Sequence, residues 1–158
     1  MDSSTPVREF MTTDVLTVRP DDDIADAMKR LVDREVDGAP VVDADGAVVG
    51  MLSASDLILQ ETRLHYPTAI TLLGGYFEVP SSVKHFERDL ERAVSAVVED
   101  AMDDEPVTCE ETATLEDVAT LLHRHEISRV PVVRDGRLVG IVARGDILRA
   151  IVASAPSD

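Results

Sequence analysis

An internal repeat restricts the folds that this chain can adopt. Residues 15 to 58 align with residues 106 to 148 with one residue of slack at a turn. The two segments read VLTVRPDDDIADAMKRLVDREVDGAPVVDADGAVVGMLSASDLI and PVTCEETATLEDVATLLHRHEISRVPVVRDGRLVGIVARGDIL. Tandem copies of one structural unit bury apolar surface by packing together. The repeat therefore predicts two related halves with two equivalent clefts between them.

Each copy has the pattern of a strand, a helix, two strands and a second helix. Apolar residues recur at i, i+3, i+4 and i+7, which predicts a helix with one buried face. They are Ile24, Ala27, Met28 and Leu31 in the first copy and Leu115, Val118, Ala119 and Leu122 in the second. Apolar strand runs follow at 39–42 and 48–52, and at 130–133 and 138–142. Turns containing Asp-Gly separate these runs and predict hairpins.

The repeats and the segment between them define three parts of the chain. We expect a first unit at 7–60, a connecting segment at 61–96 and a second unit at 97–153. Residues 83–98 have the pattern of an amphipathic helix. The aromatic residues within 65–80 predict either an interaction surface or a long connection that packs back on its own module.

Composition limits the partners and the location of the protein. The 31 acidic and 15 basic residues give a net charge of −16, which disfavours nucleic acid and anionic membranes as partners. Only Lys29 and Lys84 are lysines, and an acidic, lysine-poor surface suits high salt. This predicts a halophilic archaeon as the source rather than an ordinary acidic protein of the cytosol. The first residues lack the apolar run of a signal peptide, and no segment approaches the ~20 apolar residues of a membrane span. We therefore expect a cytoplasmic protein.

The sequence contains no constellation typical of an enzyme or a metal site. Cys109 is the only cysteine and lies in an apolar strand run, so we expect a small core residue. His123 and His125 are two residues apart on a predicted helix and point to different faces, unlike a zinc pair at i and i+4. We therefore expect no catalytic residue, no bound metal and solvent-facing histidines.

Two short motifs recur in both copies and carry a family resemblance. They are DGAPVV and GMLSASD at 37–42 and 50–56, and SRVPVV and GIVARGD at 128–133 and 140–146. Each copy resembles a CBS domain, and the pair resembles a Bateman module of a stand-alone protein. The resemblance implies an α+β fold of two pseudo-symmetric β-α-β-β-α units packed through their sheets. It also implies a homodimer.

The second motif also has a direct physical interpretation. Ser53 lies at a strand exit and Ser55-Asp56 opens a helix, so hydroxyl and free N–H groups meet at a helix N-terminus, which attracts phosphate. The Asp56 carboxylate can accept hydrogen bonds from both hydroxyls of a ribose. Alternatively, Ser55 is an N-cap and Asp56 is a first-turn acid that favours the helix dipole.

The resemblance implies two composite clefts for an adenosine-containing ligand. The first would combine Met51, Ser53, Asp56, Pro106, Val107 and Arg129. Pro106 and Val107 would form a wall for adenine, and Arg129 would hold phosphate oxygens with its planar fork. Arg129 could instead form a surface salt bridge in this acid-rich chain.

The second cleft would combine Ile141 and Asp146 with Val15 and Leu16. Here the chain departs from the family pattern. Ala143 replaces the expected Ser or Thr, and Asp37 occupies the position that matches Arg129. We therefore expect this cleft to bind phosphates poorly, and to be empty or to hold a less charged adenosyl ligand.

Together these features predict a regulatory sensor. It would bind AMP, ADP, ATP or S-adenosylmethionine between the repeats, need no other cofactor, and transmit occupancy to an unknown protein partner or to its own oligomer. One alternative is a ligand-free structural or protein-interaction module, which Ala143 and Asp37 favour. The other is an enzyme acting on a nucleotide, for which the sequence offers no nucleophile or metal site.

Overall fold

The computed structural model describes residues 2–54 and 96–155. The first of these ranges contains a short 3-10 helix (Val7–Glu9), α1 (Ile24–Asp33), β1 (Gly38–Val42) and β2 (Val48–Ser53). The second contains α2 (Val98–Ala101), β3 (Cys109–Glu110), α3 (Leu115–Arg124), β4 (Arg129–Arg134), β5 (Arg137–Ala143) and α4 (Arg144–Ser154). The predicted aromatic surface, most of the amphipathic helix and the second helix of the first repeat lie outside the described residues.

The predicted order of elements is confirmed in the second repeat. The strands form a sheet in the order β3-β4-β5, with β3 parallel and β5 antiparallel to β4. In the first repeat β1 pairs with β2, and the predicted first strand is reduced to a single parallel bridge from Val18 to Val41. These mixed helices and strands confirm the α+β class.

Both predicted helix faces are present, with one difference. Ile24, Ala27 and Leu31 of α1 are buried. On α3, Val118 and Leu122 are buried, but Ala119 is exposed. Neighbouring residues on a helix are about 100° apart around its axis, so Ala119 lies to one side of the buried face that Val118 and Leu122 form.

The chain divides into two compact units that are discontinuous in sequence. The first comprises Met1–Thr17, Val42–Val49 and Glu105–Asp158, and the second comprises Val18–Val41 and Gly50–Asp104. In the first unit, the N-terminal segment pairs with the second repeat. The Val7 N–H donates to the Ala113 carbonyl at 2.7 Å, and the Leu115 N–H donates to the Thr5 carbonyl at 2.9 Å.

The second unit contains the same arrangement with the roles exchanged. The Val98 N–H donates to the Asp22 carbonyl at 2.9 Å, and the Ile24 N–H donates to the Ala96 carbonyl at 3.0 Å. The short segment that precedes each repeat along the chain thus pairs with the other repeat.

The core of the first unit is aliphatic apart from one thiol. Its buried members are Val7, Cys109, Val118, Leu122, Val130, Val132, Val142 and Ile147. Cys109 is therefore a core residue, as predicted. Burial raises the pKa of its thiol to about 11, and the negative charges of Glu110 and Asp117 act in the same direction. A neutral thiol of this kind packs as a small apolar group.

The two predicted hairpin turns meet within the first unit. Gly46 and Gly136 have φ of 82° and 79°, which favour glycine. The Leu138 N–H donates to the Gly46 carbonyl at 3.0 Å, and the Val48 N–H donates to the Gly136 carbonyl at 3.3 Å. The hairpin tips of the two repeats are therefore joined by backbone hydrogen bonds.

Candidate functional site

The start of α4 presents a buried carboxylate. β5 ends at Ala143 and α4 begins at the next residue, so the first helical N–H groups need acceptors. Ala143 has no side-chain acceptor for this purpose. Asp146 is only 7% exposed, and its Oδ2 accepts a hydrogen bond of 2.8 Å from the Ala143 N–H. The predicted ligand residue Asp146 therefore also caps its own helix.

Two further donors converge on the other carboxylate oxygen of Asp146. The Thr12 hydroxyl donates to Oδ1 at 3.2 Å, and Nη2 of Arg149 donates to the same atom at 2.5 Å. The Arg149 side chain is 75% exposed, whereas Asp146 is buried. The guanidinium therefore pairs with the carboxylate from the solvent side.

Thr12 is held at the edge of β5 by its backbone. The Thr12 N–H donates to the Ile141 carbonyl and the Ile141 N–H donates to the Thr12 carbonyl, both at 2.9 Å. This close approach needs Gly140, because a Cβ there would lie 2.5 Å from the Met11 sulfur. Ile141 and Asp146 of the second repeat therefore both form hydrogen bonds with Thr12 of the N-terminal segment.

The other two residues predicted for the second cleft follow that segment. Val15 and Leu16 are half-buried and lie a few residues beyond Thr12 in the first unit. Their contact with an adenine stays a prediction.

The residues predicted for the first cleft fall into three groups. In the second unit, Met51 exchanges two backbone hydrogen bonds of 2.9 Å with Asp103, and half-buried Ser53 ends β2. A Cβ at Gly50 would lie 2.5 Å from the Met102 sulfur, which repeats the arrangement around Gly140. Asp56 lies outside the described residues.

The remaining members of the first cleft belong to the first unit. Pro106 and Val107 are half-buried in the chain that leads to β3. Arg129 begins β4 opposite Ala143, and burial lowers the pKa of its guanidinium from the usual range. The combination of these residues with Met51 and Ser53 stays a prediction.

Thr12 and Arg149 were not among the residues predicted from the sequence. An upstream extension of the repeat could have drawn attention to Thr12, because Met11-Thr12 aligns with Met102-Asp103. No such signal exists for Arg149, because the corresponding residue of the first repeat is Leu59. Its relation to Asp146 appears only when the side chains are placed.

A separate apolar groove lies between α3 and α4. It has a volume of about 360 Å³ and is lined by Ala119, Leu122, His123, Arg144, Ile147 and Leu148. Nearby on α4, Leu148 and Val152 are 63% and 72% exposed. Asp146 does not line this groove, so the apolar groove and the buried carboxylate are distinct features of α4.

Neither a metal centre nor a membrane span is found in the described part of the chain. Within residues 2–54 and 96–155, no three His, Cys, Asp or Glu side chains are grouped to hold a metal ion. His123 and His125 are both exposed, as predicted. No helix in these ranges is long and apolar enough to cross a bilayer.

Comparison with protein families gives a direct assignment. The sequence model of the CBS domain matches residues 7–61 and 98–153. The chain belongs to the CBS domain family. The tandem arrangement inferred from the repeat is thereby confirmed, and the two matches together cover most of the chain.

Two relatives match most of the length of this chain. A protein of Methanocaldococcus jannaschii is 31% identical over 144 residues, covering 87% of this chain and 86% of that protein. The chloroplastic CBS domain-containing protein CBSX1 of Arabidopsis thaliana is 35% identical over 150 residues, covering 91% of this chain. This chain spans only 63% of the length of CBSX1.

A solved CBS pair has the same fold. The crystal structure of CBSX2 of Arabidopsis thaliana in complex with AMP superposes with a TM-score of 0.72 and 30% identity. The match covers 94% of this chain and 97% of that structure.

Proposed function

We propose that this CBS pair is a cytoplasmic regulatory module, without catalytic activity, that binds an adenosine-containing ligand. The ligand would be an adenine nucleotide or S-adenosylmethionine, and its occupancy would be passed to a partner protein or to the oligomer. The observation that carries this proposal is the similarity to CBSX2, which was solved with AMP, over 94% of this chain.

The second site has the chemistry for a ribose contact. A buried carboxylate at a helix N-terminus attracts hydroxyl donors, and Asp146 retains acceptor capacity beyond its bonds to Ala143, Thr12 and Arg149. Ile141, Val15 and Leu16 would supply apolar contacts to the adenine. The adenine ring and the ribose would then be held by different parts of one compact unit.

The first site would hold the phosphates. Asp56 would bind the ribose, Met51, Pro106 and Val107 would contact the adenine, and Ser53 and Arg129 would bind phosphate oxygens. Burial of Arg129 supports this role, because a partly desolvated guanidinium gains more from an anionic partner than a fully hydrated one.

A ligand-free structural or interaction module is the second candidate. Asp146 favours it, because donors of the protein itself already engage both of its oxygens. An acid with this set of partners serves as a helix cap and an ion-pair member without any ligand.

With either candidate function, the protein would form a homodimer. The groove between α3 and α4, with Leu148 and Val152 beside it, exposes apolar area that a second copy would remove from water. Exposed apolar side chains grouped on one helix are typical of an interface.

Thermal unfolding with added ligand separates the two candidates. A ligand that binds only the native state at 100 times its Kd adds about 2.7 kcal/mol of stability. We expect AMP or S-adenosylmethionine to raise the unfolding temperature. Asp56→Ala should weaken binding by about 1.5–3 kcal/mol, the value for a hydrogen bond to a charged group.

The matched control is Asp45→Asn, which removes an exposed acid in the first hairpin turn that belongs to neither proposed site. It should bind as the wild type does. If no adenosine compound stabilises the wild-type protein, the ligand-free module is the correct description.

A further inference from the structure

The Asp146 carboxylate has less free capacity than a bound ribose needs. A carboxylate offers about four acceptor positions. In the described part of the chain, Ala143, Thr12 and Arg149 fill three of them. A ribose presents two neighbouring hydroxyl groups as donors. One of the present donors must therefore leave when a ribose binds through both hydroxyls.

Arg149 is the donor with the greatest freedom to move away from Asp146. The Ala143 N–H is fixed by the junction of β5 and α4. Thr12 lies on a segment that two backbone hydrogen bonds attach to Ile141. The Arg149 side chain, in contrast, is 75% exposed and has a long flexible stem.

The loss of this ion pair is costly for an uncharged ligand. Asp146 is buried, and a neutral hydroxyl in place of the guanidinium removes the positive charge that Arg149 supplies to the carboxylate. Adenosine offers the displaced guanidinium no anion in return. A phosphate group does, because the guanidinium fork matches two phosphate oxygens.

We propose that Arg149 is a specificity-determining residue that makes the second site select AMP over adenosine and S-adenosylmethionine. The inference rests on the proposed ribose contact of Asp146. It reverses the preference that Ala143 and Asp37 predicted, because a cation on α4 itself compensates for the basic residue missing at position 37. S-adenosylmethionine is disfavoured by its cationic sulfonium.

The test measures ligand binding with the first site weakened. The full chain carries Asp56→Ala, which removes the proposed ribose contact of the first site, and isothermal calorimetry compares AMP, adenosine and S-adenosylmethionine. In this background AMP should bind more tightly than adenosine by on the order of 10-fold, since one charge-assisted contact is at stake. Arg149→Gln should remove most of that preference, by weakening AMP and sparing adenosine.

Two further variants serve as controls. Arg144→Gln removes the same charge from the first turn of the same helix, but the Arg144 side chain donates to the Ile127 carbonyl at 3.4 Å and not to Asp146. It should keep the preference for AMP. Arg149→Lys retains the charge without the fork and should give an intermediate preference, which also decides the question if Arg149→Gln does not fold.

The outcomes separate this inference from the proposed function. A preference for AMP that falls in the Arg149 variants and persists in Arg144→Gln supports the inference. An unchanged preference in the Arg149 variants, with binding lost in Asp146→Asn, overturns it and leaves the proposed function intact. If no adenosine compound binds the wild-type protein, both are wrong.

Discussion

Asp146 has a structural role in addition to its proposed contact with a ligand. Its carboxylate caps α4 through Ala143 and joins Thr12, 134 residues away in sequence, to that helix. Removal of this carboxylate would leave the Arg149 guanidinium without its anion and the Ala143 N–H without its acceptor. Binding data on Asp146 variants therefore need a stability measurement beside them.

The thiol of Cys109 gives a pH-dependent prediction at the residue scale. Burial and then the charges of Glu110 and Asp117 raise its pKa from 9.0 to about 11. As pH rises through this range, the thiol of the unfolded chain loses its proton first, so stability that is present below pH 9 is lost towards pH 11.

Urea unfolding at several pH values measures this loss. We expect the unfolding free energy of the wild type to fall more steeply above pH 9 than that of Cys109→Ala, which lacks the thiol. Parallel curves for the two proteins would show that Cys109 is more accessible to solvent than its packing implies.

The sequence predicts some residues of the candidate site and not others. Ile141 and Asp146 follow from a motif that is local in sequence, so their positions relative to β5 and α4 could be predicted. Thr12 and Arg149 could not, because their roles depend on side-chain approach across elements. A lone arginine on a helix surface has no periodic signal that would single it out.

At the scale of elements, the spacing of apolar residues predicts the helices and strands, and contacts between segments then decide how they pair. The apolar faces of α1 and α3 and the four hairpin strands follow from side-chain spacing. The pairing of each preceding segment with the other repeat does not follow from this spacing, because it depends on contacts between residues that are far apart in sequence. The extended run before α1 is likewise reduced to one bridge at Val18.

Val7 tests the contribution of the exchanged N-terminal segment. It is fully buried in the core of the first unit, and its N–H donates to Ala113. Val7→Ala should lower the unfolding free energy by about 2 kcal/mol, from lost apolar burial and the cavity left behind.

The control for this prediction is Val32→Ala. Val32 is 75% exposed on α1, so the same chemical change should alter the unfolding free energy little. Equal effects of the two substitutions in urea unfolding would mean that the N-terminal segment adds no core contact of consequence.

At the scale of the whole molecule, the repeat and the charge dominate. The tandem copies allowed the family and the α+β class to be predicted, and both are confirmed by the CBS domain match. The net charge of −16 implies self-repulsion that salt would screen, and a halophilic origin stays a prediction. Which ligand would fill each proposed site depends on a few side chains and not on the fold.

Native mass spectrometry of freshly purified protein can show whether this CBS pair carries an adenosine-containing ligand. The chain would be isolated in high salt without added nucleotide and transferred to a volatile salt for measurement. We predict a dimer that retains an adenosine derivative, identified by the mass released on denaturation. A protein that carries no small molecule, and takes up neither AMP nor S-adenosylmethionine when they are added, would contradict the account.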